Sequence, residues 1–173
     1  MKRHQDQEPE TSDSQMEPTG IPDRAREFIS QVPLPHQSGQ NYKIILVAPE
    51  DIEPIWDQVV LHLDMAIAHS EGEMGAEDFY PYLMDGQMQL WVAINDGELD
   101  ASMVTQIIPY PRKRVLRIIS IAGDKMEQWI EFLPLIEGWA LSIGCTSLEC
   151  WGRKGWLKIL KDWKCSYHII TKD

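Results

Sequence analysis

Cysteine is scarce in this 173-residue chain, and the three present, Cys145, Cys150 and Cys165, form no Cys-x-x-Cys pair. An odd, sparse set of this kind excludes a disulfide framework. It reads as reduced thiols in a protein kept inside a cell, or in something assembled there. No apolar run reaches 18 residues, which excludes a transmembrane helix of ordinary length. The opening Met1-Lys2-Arg3-His4-Gln5-Asp6 leads into polar sequence and lacks the apolar stretch of a signal peptide. No internal repeat is visible. His62 and His69 lie seven apart on one predicted helix with no third ligand near them, so no metal site is expected.

Positive charge is also short. Against 27 Asp+Glu stand 16 Lys+Arg, a formal net charge of −11. That balance argues against a general nucleic-acid coat or a membrane-surface binder, both of which want cationic surface. The deficit is local. Residues 41–100 hold 1 basic and 13 acidic side chains, whereas residues 101–173 hold 11 and 7. Apolar residues at 43% and charged residues at 25% are near globular averages, so one domain with a real core is expected.

Residues 1–20 are rich in Glu, Gln, Ser, Thr, Asp and Pro and bury too little apolar surface to order themselves. Ile21, Ala25, Phe28, Ile29 and Val32 then fall at helical spacing between Pro22 and Pro33, predicting a short amphipathic helix over 21–33. Such a helix either folds back on its own domain or docks on a partner. These segments form an acidic arm, 1–40, ahead of a domain over 41–173.

Within the domain, a strand is predicted over 42–47. An amphipathic helix over 52–67 carries Ile52, Ile55, Trp56, Val59, Val60, Leu63 and Ile67. A second helix is predicted over 76–84. Strands over 89–94 and 98–108 flank Asn95-Asp96-Gly97, a tight-turn signal. A basic turn over 109–114 precedes an apolar strand over 115–122. A helix over 125–142, bent at Pro134 and stopped by Gly144, is followed by a strand over 148–151. A basic helix over 152–160 and a strand over 167–170 close the chain. Trp56, Trp91, Trp129 and Trp139 fall on apolar faces as core candidates, while Trp151, Trp156 and Trp163 cluster near Arg153 and Lys154.

An antiparallel meander followed by a strand–helix–strand crossover gives a mixed α/β (α+β) sheet with helices on both faces. That order resembles the GNAT-like acyl-CoA N-acyltransferase fold, with the arm disordered or partner-held. Residues 91–101, Trp-Val-Ala-Ile-Asn-Asp-Gly-Glu-Leu-Asp-Ala, resemble that family's hairpin, and residues 149–160 with Trp163 resemble its C-terminal motif. Met88-Gln89-Leu90-Trp91-Val92-Ala93 and Gly152-Arg153-Lys154-Gly155-Trp156 are similar to small GNAT-like proteins of tailed bacteriophages, including virion-associated proteins of short-tailed phages.

The resemblance places the acetyl-CoA pyrophosphate at Ala122, Gly123, Asp124 and Lys125, where backbone N–H groups open a helix. This stretch offers one glycine where the family pattern has two, and sets Asp124 and Glu127 beside a polyanion's place. The helix on which the family carries a Tyr has Leu157, Ile159 and Leu160 instead. A general base is sought among Glu98, Asp100 and Glu149. The expectation is therefore a virion-associated structural or accessory protein with no cofactor. It would act through protein–protein contacts in a multi-subunit or ring assembly, in the virion or the host cytoplasm during assembly. The alternative is an active acetyl-CoA-dependent N-acetyltransferase acting on a host protein or small amine. Contacts with other virion proteins would use Ile21, Ala25, Phe28, Ile29, Val32, Arg112, Lys113, Arg114, Arg153, Lys154 and Trp156. Neither a membrane nor a strong nucleic-acid partner is indicated. Arg112–Arg114 also reads as a solvated hairpin tip, and Gly152–Trp156 as a structural turn or an anion site.

Overall fold

The computed structural model describes residues 42–123, 130–152, 154–166 and 172. The predicted helix over 21–33, the strand over 167–170, Trp129, Asp124, Lys125 and Arg153 lie outside them. Of Lys154 only the backbone is described.

The meander forms where alternating, β-branched sequence meets turn chemistry. β1 (Tyr42–Val47) pairs antiparallel with β2 (Met88–Asn95), which pairs antiparallel with β3 (Glu98–Tyr110). The β2–β3 connection is the predicted tight turn, with Asp96 at φ 49° and Gly97 at φ 92°. β4 (Lys113–Gly123) pairs antiparallel with β3, and β5 (Ser147–Cys150) pairs parallel with β4. The sheet order is β1-β2-β3-β4-β5.

Helices cover both faces. α1 (Trp56–Ile67) buries Val59 and Leu63 against Val47, Leu90, Val92 and Val104. α2 (Phe79–Met84) adds Phe79 and Leu83 to the same core, after a 3-10 turn whose Asp78 carboxylate accepts the Gly75 N–H at 2.8 Å. α3 (Leu133–Ser142) covers the other face, packing Leu133, Leu135, Ile136, Trp139 and Ala140 on Trp91, Ala93, Ala101, Met103, Leu116 and Ile118. Trp91 and Trp139 meet edge-to-face at 5.0 Å.

Several boundaries differ from the sequence expectation, most of them for a local reason. The helix predicted from residue 52 becomes two 3-10 turns, Pro49–Asp51 and Glu53–Ile55, before α1. Pro54 disfavours helical dihedrals at the residue before it, so the α-helix starts beyond. The basic turn over 109–114 shrinks to Pro111 and Arg112, because Tyr110 pairs with Lys113 and Pro109 with Arg114 in the ladder. Pro134 does not bend a running helix. Ile130 is helical, the chain turns at Glu131 and Phe132, and α3 starts afresh with Pro134 in its first turn. The ring of Pro134 would clash with the carbonyl of Ile130 four residues back, which favours a fresh start at the first turn of α3. The helix over 152–160 is a short 3-10 turn, Lys154–Lys158. Gly144, at φ 83°, ends α3 as expected, while the Cys145 N–H reaches back to the Ala140 carbonyl at 2.9 Å.

Candidate functional site

β4 has two different halves. From Val115↔Ser147 to Ile118↔Cys150 it is flanked by β3 and β5, but residues 119–123 run on with β3 alone. Among the described residues no strand pairs with the other edge of that stretch, which therefore presents backbone N–H and C=O groups. Two bulges mark the same region. Ile119 is skipped between Thr105↔Ile118 and Val104↔Ser120, and Asp100 is skipped between Ala93↔Ala101 and Ile94↔Leu99. Bulges raise local twist and re-aim the strands that carry them, here where β4 leaves β5.

Gly123 ends β4 at φ 147°, and a Cβ there would come 2.3 Å from the Asp100 carbonyl oxygen and 2.4 Å from Ala101 Cα. Glycine at 123 is thus demanded by close approach of β3. Ala122 beside it is buried opposite Ser102. Of the four residues expected at a cofactor, Ala122 and Gly123 therefore end the free stretch of β4, and Asp124 and Lys125 lie outside the described residues.

Directly paired residues share a face of the sheet, so Ser102 and Ala122 look toward α1. His62 of α1 meets them there, its Nδ1 2.9 Å from the Ser102 hydroxyl. Read from sequence, His62 is only a metal ligand without companions, and this role is not visible. No cluster of three or more potential metal ligands occurs among the described residues. Two shielded oxygens lie nearby in the fold: Ser120 Oγ and Asp100 Oδ2 are buried without a hydrogen-bond partner. Of the three carboxylates considered as bases, Glu98 is exposed beside the β2–β3 turn and Asp100 is half-buried in its bulge.

The third, Glu149, is engaged. Leu116 and Ile118 enter the α3-side core, so Arg117 between them points to the α1 side, opposite Glu149 of β5. Arg117 Nε donates to Glu149 Oε1 at 2.6 Å, and its Nη2 lies 2.6 Å from the same oxygen. Nη2 also donates to Tyr110 Oη at 2.9 Å, and Tyr110 donates to Glu149 at 3.3 Å. The guanidinium lies 4.0 Å from the centre of the Trp151 ring, and Lys113 Nζ lies 5.2 Å from that of Tyr110. This four-residue cluster is hidden from sequence reasoning because its members come from three strands and the residue just after the last, and are spread over positions 110 to 151. The visible signal is one cation and one anion at paired positions of two adjacent strands.

Arg112, Lys113 and Arg114 share the β3–β4 hairpin; the first two are exposed, while the Arg114 carbonyl accepts the Thr146 N–H at 2.8 Å. Trp156 is placed elsewhere, half-buried against the α3-side core with its ring over Gly152. Trp151 is 66% exposed. Burial pushes the Cys150 thiol above its ordinary range, and neighbouring Glu149 adds to the rise. Burial likewise raises Cys145, with Arg114 opposing. No helix among the described residues is long and apolar enough to cross a membrane.

No protein-family model and no curated protein matches the chain. Solved structures do. An aminoglycoside acetyltransferase from an uncultured soil metagenomic sample aligns over 76% of this chain and 95% of its own at 14% identity and a TM-score of 0.60. A transcriptional regulator from Bacillus halodurans C-125 covers 77% of this chain and 99% of its own at 18% identity and a TM-score of 0.59. An aminoglycoside N-acetyltransferase in complex with CoA covers 80% of this chain and 97% of its own at 11% identity and a TM-score of 0.57. The expectation of no cofactor is corrected here, since this architecture is solved holding CoA. One glycine fewer over residues 120–127 was weak ground for that expectation, because a strand edge offers backbone groups whatever its side chains are. The expected virion role finds no support in these likenesses, two of which are to acetyltransferases. The chain has the GNAT acetyltransferase fold.

Proposed function

We propose that this protein is an acetyl-CoA-dependent N-acetyltransferase. The observation that carries the reading is the parting of β4 from β5 after Ile118 and Cys150, which leaves residues 119–123 with an edge that no strand among the described residues pairs, ending at Gly123. A linear ligand carrying amides can add to such an edge as an extra strand does, through alternate N–H and C=O groups. The pantetheine arm of acetyl-CoA has that chemistry, so the described residues fit the group. When bound, acetyl-CoA supplies an acyl thioester, whose C–S bond is exchanged for a C–N bond to the acceptor amine. The chain's own part is to hold and to deprotonate. The edge of residues 119–123 fixes the arm, and the bulge at Ile119 turns that edge away from β5. His62, anchored through Nδ1 to Ser102, takes the proton that the amine must lose. The likeness to acetyltransferases, one of them holding CoA, supports the same reading.

Calorimetric titration of the full chain with acetyl-CoA tests it. Binding with a micromolar dissociation constant is expected, together with thiol release from acetyl-CoA when an amine is added. A flat titration and no thermal shift with acetyl-CoA would refute the proposal.

A further inference from the structure

The Arg117–Glu149–Tyr110–Trp151 cluster stands at the mouth of the parting, because Trp151 directly follows Cys150, the last β5 residue paired to β4. Its construction is specific. Arg117 has a side chain only 13% exposed; it donates to Glu149 and to Tyr110, and a third hydrogen bond ties Tyr110 to Glu149. A ring resting on so constrained a guanidinium is held in place, yet Trp151 keeps 66% of its surface exposed. Large exposed tryptophans held rigid suit ligand contact, since little side-chain entropy remains to be lost on binding. Tyr110, 39% exposed, presents a second ring, hydrogen-bonded to the same guanidinium.

The cluster's electrostatics restrict what can land there. Each ring already carries a cation near one face, Arg117 at Trp151 and Lys113 at Tyr110. A second cation on the open face would meet a ring whose π density the first already draws on, so the usual attraction of a ring for an ammonium is weakened. Glu149 offers no spare charge, being paired with Arg117 and accepting from Tyr110. An aromatic body depends less on that density and gains offset stacking and apolar burial. Resting on the acetyltransferase reading, we propose that Trp151, braced by Arg117, is the acceptor-binding platform. The acceptor it selects is an amine carried on an aromatic ring system, in preference to a polycationic amine.

The test uses the full chain with CoA bound, and tryptamine, n-butylamine and kanamycin as probes. The indole N–H signal of Trp151, assigned by its loss in Trp151→Phe, should shift on adding tryptamine and stay in place with kanamycin. In turnover with acetyl-CoA, Trp151→Ala should raise KM for tryptamine about fivefold with kcat little changed. The rise for n-butylamine should be clearly smaller, and Trp151→Phe should recover most of the loss for tryptamine. An unmoved Trp151 signal, stronger perturbation and turnover with kanamycin, or an equal rise in KM for tryptamine and n-butylamine would each overturn the assignment. Acetyl-CoA binding is read separately by calorimetry. Binding without aromatic preference sinks the platform and spares the enzyme, whereas no binding sinks both.

Discussion

The two halves of β4 are one strand with opposite fates. Its first half is paired on both sides and ties Arg117 into an ion pair across the ladder. Its second half keeps β3 and loses β5, and is kept against β3 by a glycine with no room for a side chain. The first half shows how a sheet is locked, and the second how an edge is kept open without unravelling. An unpaired edge is ordinarily a liability for aggregation; beside a bulge and under α1 it becomes a place where a ligand can complete the ladder.

The largest expected effect breaks the open half. Gly123→Val adds a Cβ at a position 2.3 Å from the Asp100 carbonyl, on a backbone at φ 147° that β-branched residues do not adopt. A loss of about 3 kcal/mol or more is expected in urea unfolding, through strain at a special backbone position. An unchanged midpoint would show that β3 and β4 can separate there.

Next comes the locked half. Glu149→Ala strips Arg117, 13% exposed, of its carboxylate and of the oxygen that also anchors Tyr110. Removing the partner of a largely buried charge should lower stability by about 1.5–3 kcal/mol. Arg117→Met, which deletes the charge and keeps an apolar stem against Trp151, should lower it less. Equal losses for the two variants would mean that the ion pair, rather than the stranded charge, sets the effect.

A smaller effect appears as pH rises, because Cys145 just before β5 and Cys150 at its end carry thiols raised by burial. A group whose folded-state pKa lies above its unfolded value binds its proton more tightly when folded. Its stabilising share is complete below the unfolded pKa and is lost as pH rises through the folded one. Unfolding free energy should therefore decline above about pH 8.5, the ordinary thiol range. Cys145→Ala/Cys150→Ala should flatten that slope, and an identical slope in the double variant would remove the cysteines as its cause.

Much of this architecture was legible in the sequence, and the reasons are physical. The β2–β3 hairpin announced itself because Asp-Gly supplies the positive φ angles of a two-residue turn, and α1 because its apolar residues recur at three and four. Three of the boundaries that slipped involve proline: Pro54, Pro111 and Pro134 mark breaks whose exact form depends on neighbours. The site was less legible. An unpaired edge is a property of two strands, and neither residues 115–122 nor 148–151 reveals where their ladder ends. Gly123 stands out in the sequence as a glycine for a phosphate; only its closeness to Asp100 and Ala101 shows what else requires it. The bulges, the His62–Ser102 hydrogen bond and the Arg117 cluster likewise arise from register. Charge counting could place 13 acidic residues in 41–100. It could not say that one basic residue of β4 spends itself on Glu149.

The smallest expected effect separates two ways of running the transfer at the boundary between the halves. Cys150 is the last residue of β5 before the strands part, where a thiol could in principle accept the acyl group and pass it on. Such a route needs the thiolate, and both burial and the adjacent Glu149 favour the neutral thiol. Direct attack by the amine needs nothing from this sulfur. Cys150→Ala should therefore leave kcat/KM for acetyl transfer within about twofold of the parent, since a group that does not stabilise the transition state leaves that ratio unchanged. Initial-rate patterns should show both substrates bound together before product leaves. Parallel double-reciprocal lines and a collapse of turnover in Cys150→Ala would move the chemistry onto β5, and the open half of β4 would then serve binding alone.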